Sequence, residues 1–379
     1  MHKEKDFEDI RPYHDEEINP ALKRIVSVPE FGKILDFLFP GENKDQIIHD
    51  LTHTYSALDF QKRFMHPLVN SILRKTSKGL TTSGFDLLDP GTPYLFVANH
   101  RDIVLDSAIL QVVLLDHGHE TSEITFGSNL MTNQFIIDLG KVNRMFKVYR
   151  GGNRMELFRN SQILSAYIRY TITQKKTSAW IAQRNGRTKD GNDKTETGLL
   201  KMFNFSGGCD FRQSFDELNI VPLVVSYEYE PCCAFKVREL MSVIKGIPYQ
   251  KEPREDLVSI VTGITQQKGR IHLAACPTMN QMLSETDGLP NANDKINKLA
   301  AWMDSAIYAH FRLWPTHYIA HDLLQQSRKF ADKYTPLEVE EFRSYMHKEL
   351  SVLTGDTRQQ EELLLKIYAT PVINAGLAG

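Results

Sequence analysis

The stretch Tyr94–Leu115 reads YLFVANHRDIVLDSAILQVVLL and joins two apolar runs through one short polar turn. The first run, YLFVA, is typical of a buried strand, and the second, residues 103–115, is typical of a helix with a single charge, Asp106. The turn between them, NHRD, ends in Asp102, which is a good N-cap for the helix. A strand that runs directly into a helix predicts an α/β unit.

The same alternation of short β-rich runs and helical runs extends from about residue 79 to 277. We predict strands at Leu80–Ser83, Tyr94–Ala98, Ile124–Gly127, Phe146–Tyr149, Ala179–Ala182, Ile220–Tyr227 and Arg270–Ala274, and helices at about 103–115, 134–143, 154–173 and 197–204. This alternation favours an α/β fold with a central, mostly parallel sheet flanked by helices. Ligands of such sheets bind at the carboxyl ends of the strands, so the residues just after each strand are candidate site residues.

Both ends of the chain are helical in pattern. Residues 57–75 place apolar side chains at a period of four, and residues 300–314 and 361–368 form the clearest later helices. We therefore predict three regions: a helical N-terminal region (1–78), an α/β domain (79–277) and a helical C-terminal region (278–379).

Composition excludes several classes of protein. The 379 residues are 41% hydrophobic, which is enough for a large core. The 45 basic and 47 acidic residues give a formal net charge of −2, which excludes a general nucleic-acid coat. No run of 18 apolar residues occurs, and the charged N-terminus has no apolar stretch typical of a signal peptide. The 4 cysteines stand at no zinc-ligand spacing, so we expect a soluble intracellular protein without a metal.

His100 and Asp106 form the first candidate catalytic pair. His100 lies on the turn, and Asp106 lies in the first turn of the helix, where the helix dipole favours a carboxylate. A carboxylate that bonds a histidine orients the ring and stabilises its imidazolium form, as in a hydrolase triad. A substrate hydroxyl would stand where the triad has its serine. The plainer alternative is an aspartate that serves only the helix start, beside a histidine on a solvated loop.

Two later turns carry arginine beside glycine. The first follows the strand FKVY and ends in Gly151-Gly152, and the second lies in the glycine-containing run 183–191. A guanidinium fork and bare backbone N–H groups both suit a phosphate oxygen. The candidate phosphate-binding residues are Arg150, Gly186 and Arg187, with Lys147 and Arg184 as weaker candidates. The alternatives are a solvated basic turn and an ordinary flexible loop.

Four blocks in this order resemble those of the glycerolipid acyltransferase superfamily. The family's blocks are Asn-His-x4-Asp, Gly…Phe-x-x-Arg, Glu-Gly-x-Arg and Val-Pro-x-x-Val. Here they correspond to Asn99-His100…Asp106, Gly140…Phe146-Lys147-Val148-Tyr149-Arg150, Asn185-Gly186-Arg187 and Ile220-Val221-Pro222-Leu223-Val224-Val225. Together they span roughly residues 85–230, a little over a third of the chain.

The chain departs from the family pattern in two places. The spacing is His-x5-Asp, so either the turn carries an extra residue or Asp102 takes the place of Asp106 as the histidine's partner. We favour Asp106, because a charge in an apolar helix is costly unless it forms hydrogen bonds. The third block lacks the family's glutamate and offers Asn185 or Gln183 instead, which affects any role that needs a negative charge there.

The resemblance implies an acyltransferase of phospholipid biosynthesis. It would move a fatty acyl group from a thioester of coenzyme A or acyl-carrier protein to a hydroxyl of glycerol-3-phosphate or lysophosphatidate. His100 would be the general base, Asp106 would hold its tautomer, and the arginines would bind the acceptor phosphate, with no cofactor. Two rivals stay open: an O-acyltransferase for another lysolipid or an amino-acid lipid, and a non-catalytic lipid-binding protein of the same fold.

This chemistry also implies contact with a membrane surface, because lyso-acceptors and products reside in bilayers. We expect a cytoplasmic protein attached peripherally to the inner face of the cell membrane, with no nucleic-acid partner. The amphipathic stretch Ala21–Phe39 is one candidate for the attachment. The alternative is that its apolar side chains pack on the rest of the chain.

Overall fold

One sheet organises the molecule. The computed structural model describes residues 4–377, and in this range seven strands form a sheet in the order β1-β7-β6-β2-β5-β3-β4. The strands are β1 (Leu80–Ser83), β2 (Leu95–Ala98), β3 (Glu123–Gly127), β4 (Met145–Val148), β5 (Ala179–Ala182), β6 (Ile220–Tyr227) and β7 (Ile271–Ala275). Neighbouring strands are parallel except for the antiparallel pair β6–β7. The predicted fold class, a mostly parallel sheet flanked by helices, is confirmed.

Helices precede, interrupt and follow the strands. The α-helices are α1 (Asp15–Val26), α2 (Phe31–Leu38), α3 (Lys44–Thr52), α4 (Ala57–Phe60), α5 (His66–Thr76), α6 (Leu105–Asp116), α7 (Gln134–Val142), α8 (Arg154–Thr173), α9 (Thr197–Asn204), α10 (Phe211–Asp216), α11 (Cys233–Ile244), α12 (Glu255–Thr265), α13 (Ala292–His310), α14 (Pro315–Leu324), α15 (Pro336–Leu350) and α16 (Thr357–Asn374). A π-helical stretch (Gln61–Met65) joins α4 to α5, and short 3₁₀ helices lie at Glu4–Phe7, Phe85–Leu87, Ser128–Leu130 and Met279–Thr286.

The central strands are apolar throughout because helices cover both faces of the sheet. Every residue of β2 and β6 is buried, which is typical of strands in a parallel sheet. Pro222 lies inside β6, where a proline commonly accompanies a bulge or a kink. Instead β6 is paired without interruption along β2, and the Pro222 carbonyl accepts from Cys276 N (2.9 Å) just beyond the end of β7.

Five strands end at the same edge of the sheet. Because β2, β3, β4, β5 and β6 run parallel, their carboxyl ends meet there, and we call this the carboxyl edge. The loops after β2 and β5 are neighbours at this edge, and the loop after β4 lies two strands beyond β5. The three loops that carry the candidate site residues therefore share one side of the molecule.

The N-terminal helices pack on each other and on α7. Leu22, Ile25, Phe31 and Leu35 are buried in one apolar cluster with Val142 of α7 and residues of α3 and α4. These four residues are among the large apolar side chains of the stretch Ala21–Phe39, and Val26 and Phe39 pack partly buried against the same cluster. The prediction that this stretch forms a membrane-binding face is therefore wrong for its main residues, and the packing alternative is confirmed for them.

The C-terminal helices also join the central part of the chain. Residues of α13 belong to the apolar cluster on one face of the sheet, and residues of α14, α15 and α16 form a cluster with α11. Apolar clusters thus cross both predicted region boundaries, and the division at residues 78 and 277 stays a prediction. Over the described residues, none of the helices combines the length and the apolar character needed to span a bilayer.

Helix α12 is packed with its small residues inward. Ser259 and Gly263 are buried, whereas Leu257, Val258 and Val261 are exposed. Gly263 lies against the loop after β2, where a Cβ atom would stand 2.1 Å from Asp102 Oδ2. Only glycine permits this close approach.

Candidate active site

The side chains of His100 and Asp106 meet at the carboxyl edge. His100 follows β2 by two residues, and its Nδ1 lies 2.8 Å from Asp106 Oδ2. The carboxylate is an acceptor, so Nδ1 carries the proton and Nε2 is the basic nitrogen. The His100 side chain is 15% exposed and that of Asp106 2%, so part of the ring is accessible to solvent whereas the carboxylate is buried. The Trp180 ring packs edge-on against the imidazole at 5.5 Å.

Asp106 is held by donors on every side. Its Oδ2 also accepts from the backbone N–H groups of Arg101 (2.6 Å) and Asp102 (2.9 Å), and its Oδ1 accepts from the Tyr227 hydroxyl (2.8 Å). These contacts, together with the His100 ring, satisfy both carboxylate oxygens and fix the orientation of the carboxylate. Burial and the Asp106 charge raise the pKa of Tyr227 well above its ordinary value, so Tyr227 is a donor at neutral pH.

Asp102 serves the start of α6 and does not contact the histidine ring. Its Oδ1 accepts from Val104 N (2.9 Å) and Leu105 N (2.8 Å), as expected of a capping residue. Its Oδ2 is buried and has no hydrogen-bond partner among the described residues. Burial raises the pKa of Asp102, the charge of Asp106 raises it further, and the nearby charge of Arg187 acts in the opposite direction.

A buried ion network lies beneath the pair. Arg101 donates to Asp193 Oδ2 (2.5 Å) and Glu230 Oε2 (3.1 Å), and Lys236 donates to Glu230 and to the Arg101 carbonyl (2.9 Å). Two cations and two carboxylates balance, so the network holds no net charge. Asn99 Nδ2 donates to the same Asp193 oxygen (3.0 Å). The network therefore fixes the loop after β2 to the loops after β5 and β6.

Lys147, Arg150 and Arg184 line a cavity of about 280 Å³ at the end of β5, the strand next to β2, and neither His100 nor Asp106 is part of its wall. Arg150 donates to Asn185, Arg184 donates to the Asn192 carbonyl (3.1 Å), and Lys147 forms an ion pair with Asp9 (3.0 Å). The apolar part of the wall consists of Ile10, Val148, Leu157, Ile163, Leu164, Ile181, Leu199 and Met202, with Tyr149 at its edge. The wall also contains the Glu196 carboxylate, whose charge acts on Arg150, and the side chains of Asn160 and Ser161. The cavity thus combines cations, one carboxylate and amides with a hydrocarbon wall.

Gly186 and Arg187 lie on the same loop but not in the cavity wall. Gly186 has φ +74°, a left-handed conformation that favours glycine, and open space around its Cα. Arg187 lies near Asp102 and Cys232, and its buried Nη1 has no hydrogen-bond partner among the described residues. Thr188 N donates to the His100 carbonyl (2.7 Å), which holds this loop against the histidine. The structure thus groups Arg150 and Arg184 in one place and Arg187 in another.

Three residues at this site were not predicted from the sequence: Tyr227, Trp180 and Asp193. Tyr227 ends β6, Trp180 lies inside β5, and both strands flank β2. Tyr227 and Trp180 are near His100 and Asp106 because β6 and β5 lie on either side of β2, and this strand order cannot be deduced from local sequence patterns. Asp193 lies in the long loop after β5, which also contains Asp190 and Glu196, so no signal in the sequence distinguishes Asp193 from the other two carboxylates. Within residues 4–377, no group of three or more histidine, cysteine or acidic side chains is placed to hold a metal ion.

Gln183 and Asn185 occupy the place of the family's glutamate in different ways. Gln183 is fully buried, and neither polar atom of its side chain has a partner in the described part of the chain. Asn185 is exposed and accepts from Arg150. Of the two, only Asn185 lines the cavity and contacts a cation.

Comparison with known proteins gives one structural similarity to report. No family model matches the chain, and no curated protein matches it. The chain is similar to the crystal structure of the 1-acyl-sn-glycerophosphate (LPA) acyltransferase PlsC from Thermotoga maritima, with 10% sequence identity and a TM-score of 0.35. The match covers 77% of this chain and 95% of that chain.

Proposed function

We propose that this protein is an acyltransferase that moves a fatty acyl group from a thioester to a hydroxyl of glycerol-3-phosphate or lysophosphatidate. The observation that carries the proposal is the hydrogen bond between His100 Nδ1 and Asp106 Oδ2 (2.8 Å) at the carboxyl edge. This pair is a general base without a nucleophilic serine, so the nucleophile is a hydroxyl supplied by a substrate. The sequence blocks that resemble the glycerolipid acyltransferases support the same assignment.

In the proposed reaction, His100 Nε2 takes the proton of the acceptor hydroxyl as the hydroxyl oxygen attacks the thioester carbonyl carbon. The new C–O bond forms a tetrahedral intermediate. Its collapse breaks the C–S bond, and the leaving thiolate receives the proton from the imidazolium. Asp106 stabilises the imidazolium between these two proton transfers because the carboxylate is desolvated and fixed by four donors.

The cavity supports an acceptor or donor with an anionic group and a hydrocarbon chain. Arg150 and Arg184 are the proposed ligands of the acceptor phosphate, with Lys147 beside them, because guanidinium forks bind phosphate oxygens in pairs. The cavity lies over the end of β5, one strand from His100, and strands in a sheet are about 4.8 Å apart. Arg187 and Gly186 stay further candidates, since Arg187 keeps a buried nitrogen without a partner among the described residues.

The test is a panel of acceptors with one radiolabelled acyl-CoA. The panel contains glycerol-3-phosphate, lysophosphatidate, glycerol, a zwitterionic lysolipid and a lyso amino-acid lipid. We expect labelled product only with glycerol-3-phosphate and lysophosphatidate, the two acceptors that carry a phosphate monoester, and none from the His100→Ala variant. Arg150→Ala should raise the acceptor KM with little change in kcat, because a phosphate remote from the reacting carbon is held similarly in the ground and transition states. The same panel with an acyl-carrier-protein thioester identifies the donor.

A second histidine–aspartate pair provides a matched control. His66 Nε2 lies 2.8 Å from Asp116 Oδ1, far along α6 from the carboxyl edge, so His66→Ala should leave the turnover unchanged. Turnover with the non-phosphate acceptors at equal rate would assign the chain to another lysolipid or amino-acid lipid. Absence of product with every acceptor and both donors would favour a non-catalytic lipid-binding protein.

A further inference from the structure

The first half of α8 exposes large apolar side chains. Met155 is 82% exposed, Phe158 53% and Leu157 43%, and Phe205 after α9 is 44% exposed. Phe158 and Phe205 contact each other edge-to-face with ring centroids 5.3 Å apart. These four residues form one surface, which we call the α8 patch. Contiguous exposed apolar residues on a folded chain mark a surface that meets a partner or a membrane.

Cations surround the α8 patch. Arg154 and Arg159 lie one helical turn from Phe158 and Met155 respectively, and Lys201 lies one turn before Phe205. All three are exposed, and none forms an ion pair with a described residue. The only acidic residue among the first six positions of α8, Glu156, is engaged at the helix start, where it accepts from Asn153 N (2.9 Å). The patch is therefore apolar with a positive surround.

The α8 patch is continuous with the cavity. Leu157 is both exposed in the patch and part of the cavity wall. Arg150 and Gly151, which also line the cavity, lie directly before the helix. A hydrocarbon chain that enters along Leu157 would pass Asn160 and Ser161 of the same helix and reach the apolar wall at Ile163 and Leu164.

We propose that the α8 patch docks on an anionic lipid bilayer and admits lipid from it to the cavity. Apolar side chains that insert at the interface, together with unpaired arginine and lysine beside them, are the pattern of a peripheral membrane-binding helix. The delivery of lipid to the cavity rests on the proposed function, whereas the docking itself is measured by binding and needs no turnover.

The outer face of α12 is a second exposed apolar surface, and its charged residues differ from those around the α8 patch in being largely paired. Leu257, Val258 and Val261 are exposed there. Two carboxylates at the start of this helix are paired, since Lys251 bonds Asp256 (2.6 Å) and Arg238 of α11 bonds Glu255 (2.6 Å), and the exposed Arg254 is the one nearby cation that forms no ion pair with a described residue. This face thus serves as a matched control of similar apolar character.

The test is flotation of the full chain with vesicles of phosphatidylcholine, with and without phosphatidylglycerol. We expect flotation with the anionic vesicles and much less with phosphatidylcholine alone. Replacing three cations near an anionic surface, in Arg154→Gln/Arg159→Gln/Lys201→Gln, should weaken binding about 100-fold. Met155→Ser/Phe158→Ser should also abolish flotation, and Val258→Ser/Val261→Ser should leave it unchanged. Each variant is checked by its thermal transition, and Met155→Ser alone replaces the double variant if that one is unfolded.

Four outcomes would overturn the proposal. If the wild-type chain stays at the bottom of the gradient, or if the α8 variants bind as well as the wild type, the bilayer is not the occupant of the patch. Loss of binding in the α12 variant alone would move the docking surface to α12. A dimer in solution that dissociates in the α8 variants, without any change in flotation, would assign the patch to a second copy of the chain. Turnover with soluble glycerol-3-phosphate, measured in parallel, reports on the proposed function separately.

Discussion

At the scale of single residues, the site depends on the position of Asp106. A buried charge is costly unless it forms hydrogen bonds, and here four donors reach the two carboxylate oxygens. Two of the donors are backbone N–H groups of the turn after β2, so the turn itself is folded around the carboxylate. The His100 ring is one of the four donors, and its orientation therefore follows from the same arrangement.

The first prediction tests this carboxylate. In Asp106→Asn the side-chain oxygen can keep the three donors of Oδ2, and the new amide can donate to Tyr227, so the fold should be retained. The imidazolium loses its counter-charge, and we expect kcat to fall by up to about 10⁴-fold with a small change in KM. Steady-state kinetics and the thermal transition of the purified variant provide the measurement.

Asp102→Asn is the matched control for this experiment. An asparagine accepts from Val104 N and Leu105 N as well as an aspartate does, so we expect turnover within a few-fold of the wild type. The opposite order of the two effects, with Asp102→Asn inactive and Asp106→Asn active, would show that the extra residue of the His-x5-Asp turn has shifted the functional pair.

The second prediction concerns Tyr227 as a positioning residue. Tyr227→Phe removes the hydroxyl that donates to Asp106 Oδ1, while three donors remain on Oδ2. We expect kcat to fall about tenfold, because one hydrogen bond to a charged group is lost. In the Asp106→Asn background the same change should add little, since the two residues act through one contact. Tyr94→Phe, another buried tyrosine of the same apolar cluster, should leave kcat unchanged.

The sequence predicted the chemistry of this pair but not its surroundings. His100 and Asp106 are close along the chain, so a strand, a turn and a helix suffice to bring them together. Tyr227 reaches Asp106 only because β6 lies next to β2, and that order is decided by packing across the whole sheet. The direction of Arg187 was unpredictable for a similar reason: a loop residue next to a glycine can face either side of its loop.

At the scale of elements, the buried ion network joins four parts of the fold. Arg101 lies after β2, Asp193 before α9, and Glu230 before α11, and the backbone N–H of Glu230 donates to the Tyr368 hydroxyl of α16 (2.7 Å). Each charge is paired within the network. Removing one member of the network leaves a buried charge without its counter-charge, and an unpaired buried charge strongly lowers the free energy of unfolding.

The third prediction follows from this arrangement. Lys236→Met should lower the free energy of unfolding by about 3–5 kcal/mol, because Glu230 loses a cation and the Arg101 carbonyl loses a donor. Urea unfolding measures the difference. Lys245→Met, at the exposed end of the same helix, should change the free energy by less than about 0.5 kcal/mol. The losses of Lys236→Met and Glu230→Gln should be less than additive in the double variant, and strict additivity would contradict a shared network.

The predicted elements agree with the structure where one apolar side faces the core. All seven predicted strands occur within one residue at each end, and α8 and α9 have the predicted bounds. The helices between β6 and β7 were missed. Helix α12 turns its small residues inward and its large ones outward, so its apolar pattern does not mark the buried side. Helix α11 carries Lys236 inside the core, which contradicts the usual polar-outside pattern.

At the scale of the whole molecule, Lys268 lies where the N-terminal helices meet the sheet. Its Nζ donates to Thr76 Oγ1 at the end of α5 (2.9 Å) and to the Gln266 carbonyl (2.6 Å). Burial lowers its pKa from 10.5 to about 8, although the charges of Asp102 and Cys232 act in the opposite direction. Folding therefore favours the neutral amine at this joint.

The fourth prediction is the resulting pH dependence. Below pH 8 the amine is charged in both states, and its burial reduces stability. Between about pH 8 and 10.5 the unfolded chain binds one more proton than the folded chain, so the free energy of unfolding rises with pH. We expect the free energy of unfolding of the wild type, relative to that of Lys268→Met, to rise across this pH range when both are measured by urea unfolding. The exposed Lys75→Met variant should show no such rise, and a flat difference for Lys268 would contradict the lowered pKa.

At Gly263 the backbone of α12 packs directly against the turn after β2. The backbone of α12 touches Asp102 at the one position where no side chain intervenes, and Asp102 N donates to the carboxylate that holds His100. The opposite side of the same helix, about 10 Å away, is the exposed face of Val258 and Val261. No side chain lies between α12 and the turn at this point, so a displacement of the helix toward the core would move the turn as well. The position of the His100 ring is therefore coupled to the exposed face of α12 through the contact between Gly263 and Asp102.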